Sequence, residues 1–187
     1  MDIVEESEKF ALEEIEKYGW PRRIAFDIAN SKGLQLGRQL NADSTIVQAG
    51  TRLMDIKLGQ AVDEGRIKEH VRMSVEAAKE FLKKFDVDEK TKTKILNCIE
   101  AHHGTVSFIC KEAEIVANAD CYRFLTPKGF LDALISYGKM GLSLDDALNR
   151  IEEKVEEKIR IVSLDICRKE LDKNYLQIKD FLKKARE

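Results

Sequence analysis

Proline is almost missing from this 187-residue chain: Pro21 and Pro127 are the two present, and neither lies in a glycine- or serine-rich run. A flexible linker is therefore absent, and one domain spanning 1–187 is expected. Long apolar runs are lacking too, and the acidic start Met1-Asp2-Ile3-Val4-Glu5-Glu6 has neither the basic nor the apolar part of a signal peptide. No membrane partner is expected, and the location expected is the cytoplasm. Charge of one sign does not dominate, since 32 basic residues face 34 acidic ones for a formal net charge of -2. Such a surface has no long-range field to steer a polyanion, so charge does not imply a nucleic-acid partner. The four cysteines, Cys98, Cys110, Cys121 and Cys167, lack Cys-x-x-Cys spacing and read as small core residues in a reducing compartment. Dinucleotide-binding Gly-x-Gly-x-x-Gly, phosphate-cradling Gly-x-x-x-x-Gly-Lys and nucleophile-bearing Gly-x-Ser-x-Gly motifs are all missing. Gly33 and Gly37 instead read as points of close helix packing.

What is present is a chain 43% hydrophobic and 35% charged, the composition of a globule with a strongly ionic surface. Apolar residues recur at steps of three and four almost throughout, and nowhere alternate with polar ones over the length of a strand. The fold class expected is all-α. Val71, Val75, Ala78, Leu82 and Phe85 mark one helix, and Leu144, Leu148, Ile151, Val155 and Ile159 another. Pro21 suits a first turn, Asp43 and Asp88 suit N-caps, and Gly104 suits the close of a helix ending in His102-His103. Helices are predicted over 3–18, 22–41, 43–57, 70–86, 88–103, 110–125, 127–138, 143–161 and 163–184. Leu164, Cys167, Leu171, Tyr175, Ile178 and Leu182 form a stripe on the last, to be covered by the core or by a second copy in a homo-oligomer.

Chemistry concentrates in few residues. The three histidines, His70 and the pair His102-His103, all fall at predicted helix ends, where side chains can converge on a cavity. Asp120 interrupts the apolar run Ile115 to Tyr122, and Asp55 follows Leu53-Met54. A buried carboxylate without a partner costs several kcal/mol, about the energy of a lost ion pair, so each needs a cation. A metal ion would serve both. The alternative is plain ion pairing, Asp55 with Arg52 or Lys57 and Asp120 with Arg123.

In order along the chain, Met54-Asp55-Ile56, then His70 opening a helix with Val75, Ala77 and Ala78, then Ile99-Glu100-Ala101-His102-His103-Gly104, then Ala119-Asp120, resemble the HD-domain superfamily of metal-dependent phosphohydrolases. The resemblance covers roughly residues 22–125, and Glu100 to Gly104 is similar to the HD portion of ribonuclease Y and its relatives. It implies an HD-like helical bundle extended by two long C-terminal helices over 143–187. It also implies that Asp55 is the aspartate of the His-Asp doublet and Asp120 the late aspartate, with His70 and His102 as further metal ligands and His103 facing a substrate phosphate. Met54 stands where the doublet's histidine belongs, the early histidine is missing, and Asp27 is the nearest polar residue on that helix. Leu58 takes the place of the family's usual lysine, with Lys57 one position early.

The ligand set that remains, Asp55, His70, His102 and Asp120, suits one ion of manganese, iron, nickel or zinc better than calcium. His103 or Lys57 would stabilise charge developing on a phosphoryl oxygen. The function implied is hydrolysis of a nucleotide or another phosphate ester. Two other readings stand beside it: a catalytically degenerate HD protein that binds a nucleotide or partner protein, and a helical oligomerisation module.

Overall fold

The computed structural model describes residues 2–187, and its regular structure is all-α, with no strand among the described residues. In chain order it runs α1 (Ile3–Tyr18), α2 (Arg23–Gln39), α3 (Ser44–Leu53), α4 (Leu58–Asp63), a 3-10 turn (Ile67–Glu69), α5 (His70–Leu82), α6 (Glu89–Ala101), α7 (Lys111–Leu125), α8 (Pro127–Lys139), α9 (Leu144–Ile161) and α10 (Asp165–Lys184). None of these helices is long and apolar enough to cross a membrane.

Side-chain caps start the helices where the sequence places them. Asp43 accepts from the amides of Thr45 and Ile46, and Asp88 from that of Thr91. Each satisfies donors that would otherwise be orphaned, a contribution of about 1 kcal/mol per cap. Thr126 caps α8, with Pro127 in its first turn, where no amide hydrogen is needed. Pro21 does not play that part: it precedes α2 behind a cis Trp20–Pro21 bond, and Arg22 occupies the N-cap without a side-chain bond. Gly104, at φ 66°, returns its amide to the Ala101 carbonyl and stops the chain from continuing α6.

The helix predicted over 43–57 ends early, at Leu53, and a short α4 that periodicity did not reveal follows it. Between them Ile56 donates to the Leu53 carbonyl and Leu58 to that of Asp55, while the Lys57 amide donates to Ser74 Oγ on α5. This break carries Asp55 into the interior. Six residues are too few to show a helical period, which is why α4 was invisible.

At the centre lies α7, packed by α2, α3, α6, α8, α9 and α10. Ala113, Ile115, Val116, Ala117, Ala119, Cys121, Tyr122 and Leu125 are all buried, so it shows no single apolar face. Gly33 of α2 lies close to its neighbours, as expected: a Cβ there would stand 2.7 Å from Thr51 Cγ2 and 3.7 Å from Ala119 Cβ, while at Gly37 the contacts would be ordinary. The C-terminal stripe is spent within the chain itself, with Cys167, Leu171, Ile178 and Leu182 buried in one hydrophobic core that reaches back to Ile3. On α9 the buried positions are Ala147, Leu148, Ile151, Val155 and Lys158, whereas Leu144 is 70% exposed.

All four cysteines are free, and three are buried as expected; Cys110 is half-buried at the N-cap of α7. A hydrogen bond with Cys98 leads the causes that lower the Cys110 thiol to about 7. Since the thiolate is the reactive form, Cys110 is expected to be alkylated first by iodoacetamide, its rate rising through pH 7 to half its plateau. Peptide mapping of the labelled protein checks this; labelling spread evenly over the four cysteines would contradict it.

Candidate metal centre

Three elements bring the histidines together. His70 opens α5 directly after the 3-10 turn, and its Nδ1–H donates to the Ile67 carbonyl at 2.7 Å. His102 follows the last residue of α6 and donates from Nδ1 to the Ile99 carbonyl, also at 2.7 Å. His103 Nδ1 lies 2.8 Å from Glu157 Oε1 on α9. The carbonyl contacts place the proton of His70 and of His102 on Nδ1 and leave their Nε2 lone pairs free, the arrangement that orients imidazole for a metal, whereas His103 Nδ1 stands between Glu157 Oε1 and the Lys158 ammonium 3.1 Å away.

The free atoms meet. His70 Nε2 is 3.2 Å from His103 Nε2, and both His70 Nε2 and His102 Nε2 are 3.5 Å from Asp55 Oδ1. Ligand atoms of the three imidazoles all lie within 4.8 Å of one another. Metal–nitrogen bonds of about 2.0–2.1 Å in a tetrahedral shell would put neighbouring donors roughly 3.3 Å apart, close to the 3.2 Å between His70 and His103 and the 3.5 Å from Asp55 Oδ1 to His70 and His102. Two of these atoms, Asp55 Oδ1 and His102 Nε2, are buried with no hydrogen-bond partner. Buried orphans of this kind are rare and costly, and a divalent cation would satisfy both at once.

The protonation states suit that role. Burial lowers the His70 imidazole, and burial with His102 alongside lowers that of His103 to about 4, so both are neutral near pH 7. Burial alone would raise the Asp55 carboxyl, but Arg123, His102 and His70 outweigh it and hold it well below the usual carboxylate range.

Asp120 does not join this ring, contrary to the sequence-based expectation. Its Oδ1 is 2.7 Å from Arg123 Nη1 and its Oδ2 is 2.7 Å from Lys158 Nζ, so two fixed cations supply the charge that a metal was expected to bring. Burial would raise its carboxyl, yet Lys158 and Arg123 outweigh that and keep it ionised. His103 was expected to face a substrate phosphate; its Nε2 joins the ligand atoms instead. Lys57 is not brought to the centre at all: its ammonium pairs with Glu14 at 2.9 Å beside the Phe10 ring. Asp27 pairs with Arg23 on an exposed stretch of α2. Of the simple ion pairs considered from sequence, Asp120 with Arg123 is present, while Asp55 takes Arg123 rather than Arg52 or Lys57, and Arg52 pairs with Glu8.

One site residue escaped the sequence. Arg123, one helical turn beyond Asp120, was read as its ion-pair partner, but Lys158 falls where the stripe Leu148, Ile151, Val155 continues, a lysine at a core position. That misplaced lysine was the available signal. Beside the centre opens a cavity of about 340 Å³ lined by Asp55, His70, His103, Arg123, Lys154 and Lys158 together with apolar side chains such as Phe124 and Tyr137. A wider, shallower groove of about 1210 Å³ reaches His103 from the other side, but Glu152, Glu153, Glu156 and Glu157 line it and would repel a phosphate.

Fold and site together define a helical protein with three imidazoles and one carboxylate converging beside a cation-lined cavity. No model of a known protein family matches the chain. It is 30% identical over 128 residues to ribonuclease Y of Finegoldia magna, a match that takes in 68% of this chain and 23% of that protein's length. Among solved structures it is similar to YpgQ of Bacillus subtilis, with a TM-score of 0.69 and 18% identity covering 99% of this chain and 96% of that one. A Lactobacillus plantarum protein gives a TM-score of 0.72 at 14% identity, covering 98% and 95%. The two solved structures share the fold over nearly their whole length.

Proposed function

We propose that this chain is a hydrolase of phosphate esters, with a nucleotide or another small phosphate ester as substrate, working with one divalent transition metal held by His70, His102, His103 and Asp55. The observation that carries the reading is the convergence of three imidazole nitrogens with Asp55 Oδ1 3.5 Å from two of them, Asp55 Oδ1 and His102 Nε2 being buried without any partner. A mixed imidazole and carboxylate set suits manganese, iron, nickel or zinc, and such an ion supplies a Lewis acid and a nucleophilic water at neutral pH. Lys154 and Arg123 line the same cavity, where their charge attracts and orients a phosphate. Phe124 and Tyr137 exclude water from the cavity and offer apolar area to the rest of the ester.

Protein purified without chelator and loaded with manganese or iron is expected to hydrolyse some member of a panel of nucleoside phosphates, aryl phosphates and aryl phosphodiesters. His70→Ala is expected to lower that rate by about 100-fold or more, the scale of losing a group that organises the transition state. Stoichiometric metal with no turnover of the panel above the variant's rate would overturn the hydrolase reading.

A second reading, a binding protein without chemistry, is favoured by one feature: Asp55 Oδ2 and Asp120 Oδ1 are held by the guanidinium of Arg123, and Met54 beside them is a poor ligand for hard cations. Tight calorimetric binding of a nucleotide that is recovered intact would support it, and metal-dependent turnover would exclude it.

A further inference from the structure

We propose that Arg123 is a resident cation standing in a latent second metal position between Asp55 and Asp120. A single nitrogen, Nη1, lies 2.5 Å from Asp55 Oδ2 and 2.7 Å from Asp120 Oδ1, so a carboxylate from the turn after α3 and one from α7 converge on one point. Arg123 is 7% exposed, Asp55 6% and Asp120 1%, which leaves little water to screen those charges. Asp55 is divided between two places: Oδ1 turns to the imidazoles of His70 and His102, and Oδ2 turns to the guanidinium. A carboxylate shared in this way is how two cations are held about 3.5–4 Å apart in a bimetallic centre. Here an imidazole-rich position lies on one side of Asp55 and a covalently tethered charge on the other.

Charge accounting points the same way. Asp55 and Asp120 carry two negative charges, and Arg123 and Lys158 carry two positive ones. With the guanidinium removed, two buried carboxylate oxygens face a vacated space that opens to the cavity Arg123 lines. Such a pair either becomes protonated, at a large energetic cost near neutral pH, or captures a cation, and oxygen donors together with cavity water suit manganese. Because guanidinium is always charged and cannot dissociate, the natural chain keeps this position positive whatever the metal supply. The Nε–H of Arg123 is buried and makes no hydrogen bond within the protein, so the guanidinium is held through Nη1 alone.

This inference rests on the one-metal reading of the histidine centre, and metal counting separates the two. Manganese content after equilibrium dialysis is measured for the natural chain, Arg123→Ala, Arg123→His and the double variant Arg123→Ala, Asp120→Asn. Arg123→His guards against loss of fold, because an imidazole can carry the positive charge when no metal is present and act as a ligand when it is. The expected result is a rise from about one equivalent to about two in either single variant, returning to about one in the double variant. Single variants that stay at one equivalent, or that recover no helical circular dichroism even with manganese present, overturn the proposal. Zero equivalents in the natural chain with one in Arg123→Ala would remove the histidine centre and, with it, the second position proposed beside it.

Discussion

Replacing Lys158 by methionine is expected to destabilise the protein by about 3–5 kcal/mol, the cost of stripping one partner from a buried ion pair. The ammonium is fully buried, 2.7 Å from Asp120 Oδ2, 3.2 Å from Glu157 Oε1 and 3.1 Å from His103 Nδ1. Methionine has nearly the same length and flexibility, so little packing is lost and the effect isolates the charge. What remains is Arg123 as the only close cation for both Asp55 and Asp120. For a chain of this size the loss lowers the melting temperature by roughly 6–20 °C. Adding Asp120→Asn removes the uncompensated carboxylate and is expected to restore about half of the stability, a coupling of the size seen between contacting residues. Thermal denaturation of the natural chain, both single variants and the double variant measures it. A double variant as unstable as the sum of its parts would show that Lys158 does not act through Asp120.

His102→Ala is expected to abolish stabilisation by metal while leaving a folded protein. His102 is fully buried, and its Nε2 is one of the two orphaned donor atoms. A ligand that binds only the folded state adds about 2.7 kcal/mol at a hundredfold excess over its dissociation constant. If loss of one imidazole weakens binding by about 100-fold, the gain at the same manganese concentration falls to about 0.4 kcal/mol. Each protein is compared with itself in chelator and in manganese, so the cavity left by the missing ring cancels. Equal upward shifts for the natural chain and the variant would dismiss His102 as a ligand.

Much of the scaffold was legible because its signals are local. Helical spacing of apolar residues, the caps Asp43 and Asp88, and the stop at Gly104 each depend on neighbours within a turn or two. The order of Asp55, His70, His102, His103 and Asp120 was likewise readable as a candidate set, of which Asp120 goes to Arg123 and Lys158 rather than to the imidazoles. The break after Leu53 was not, since it is stabilised by the distant hydroxyl of Ser74, and that break is what swings Asp55 inward while Lys57 turns to Glu14 on α1.

By itself, then, the sequence determined an all-α chain, where most of its helices lie, and a short list of imidazoles and carboxylates too few and too buried to be incidental. Tertiary structure decided the partners that come from other elements. Asp120 and Arg123 are neighbours on α7, but Lys158 reaches them from α9 and Asp55 from the turn after α3, and only that meeting shows the two carboxylates already neutralised. The same meeting leaves Asp55 Oδ1 and His102 Nε2 facing each other unsatisfied, with His70 and His103 closing the ring. The physical reason is range: helix formation is governed by contacts a few residues apart, whereas the charge balance of a buried site depends on groups tens of residues away whose energies are set by burial and by distances of a few ångströms.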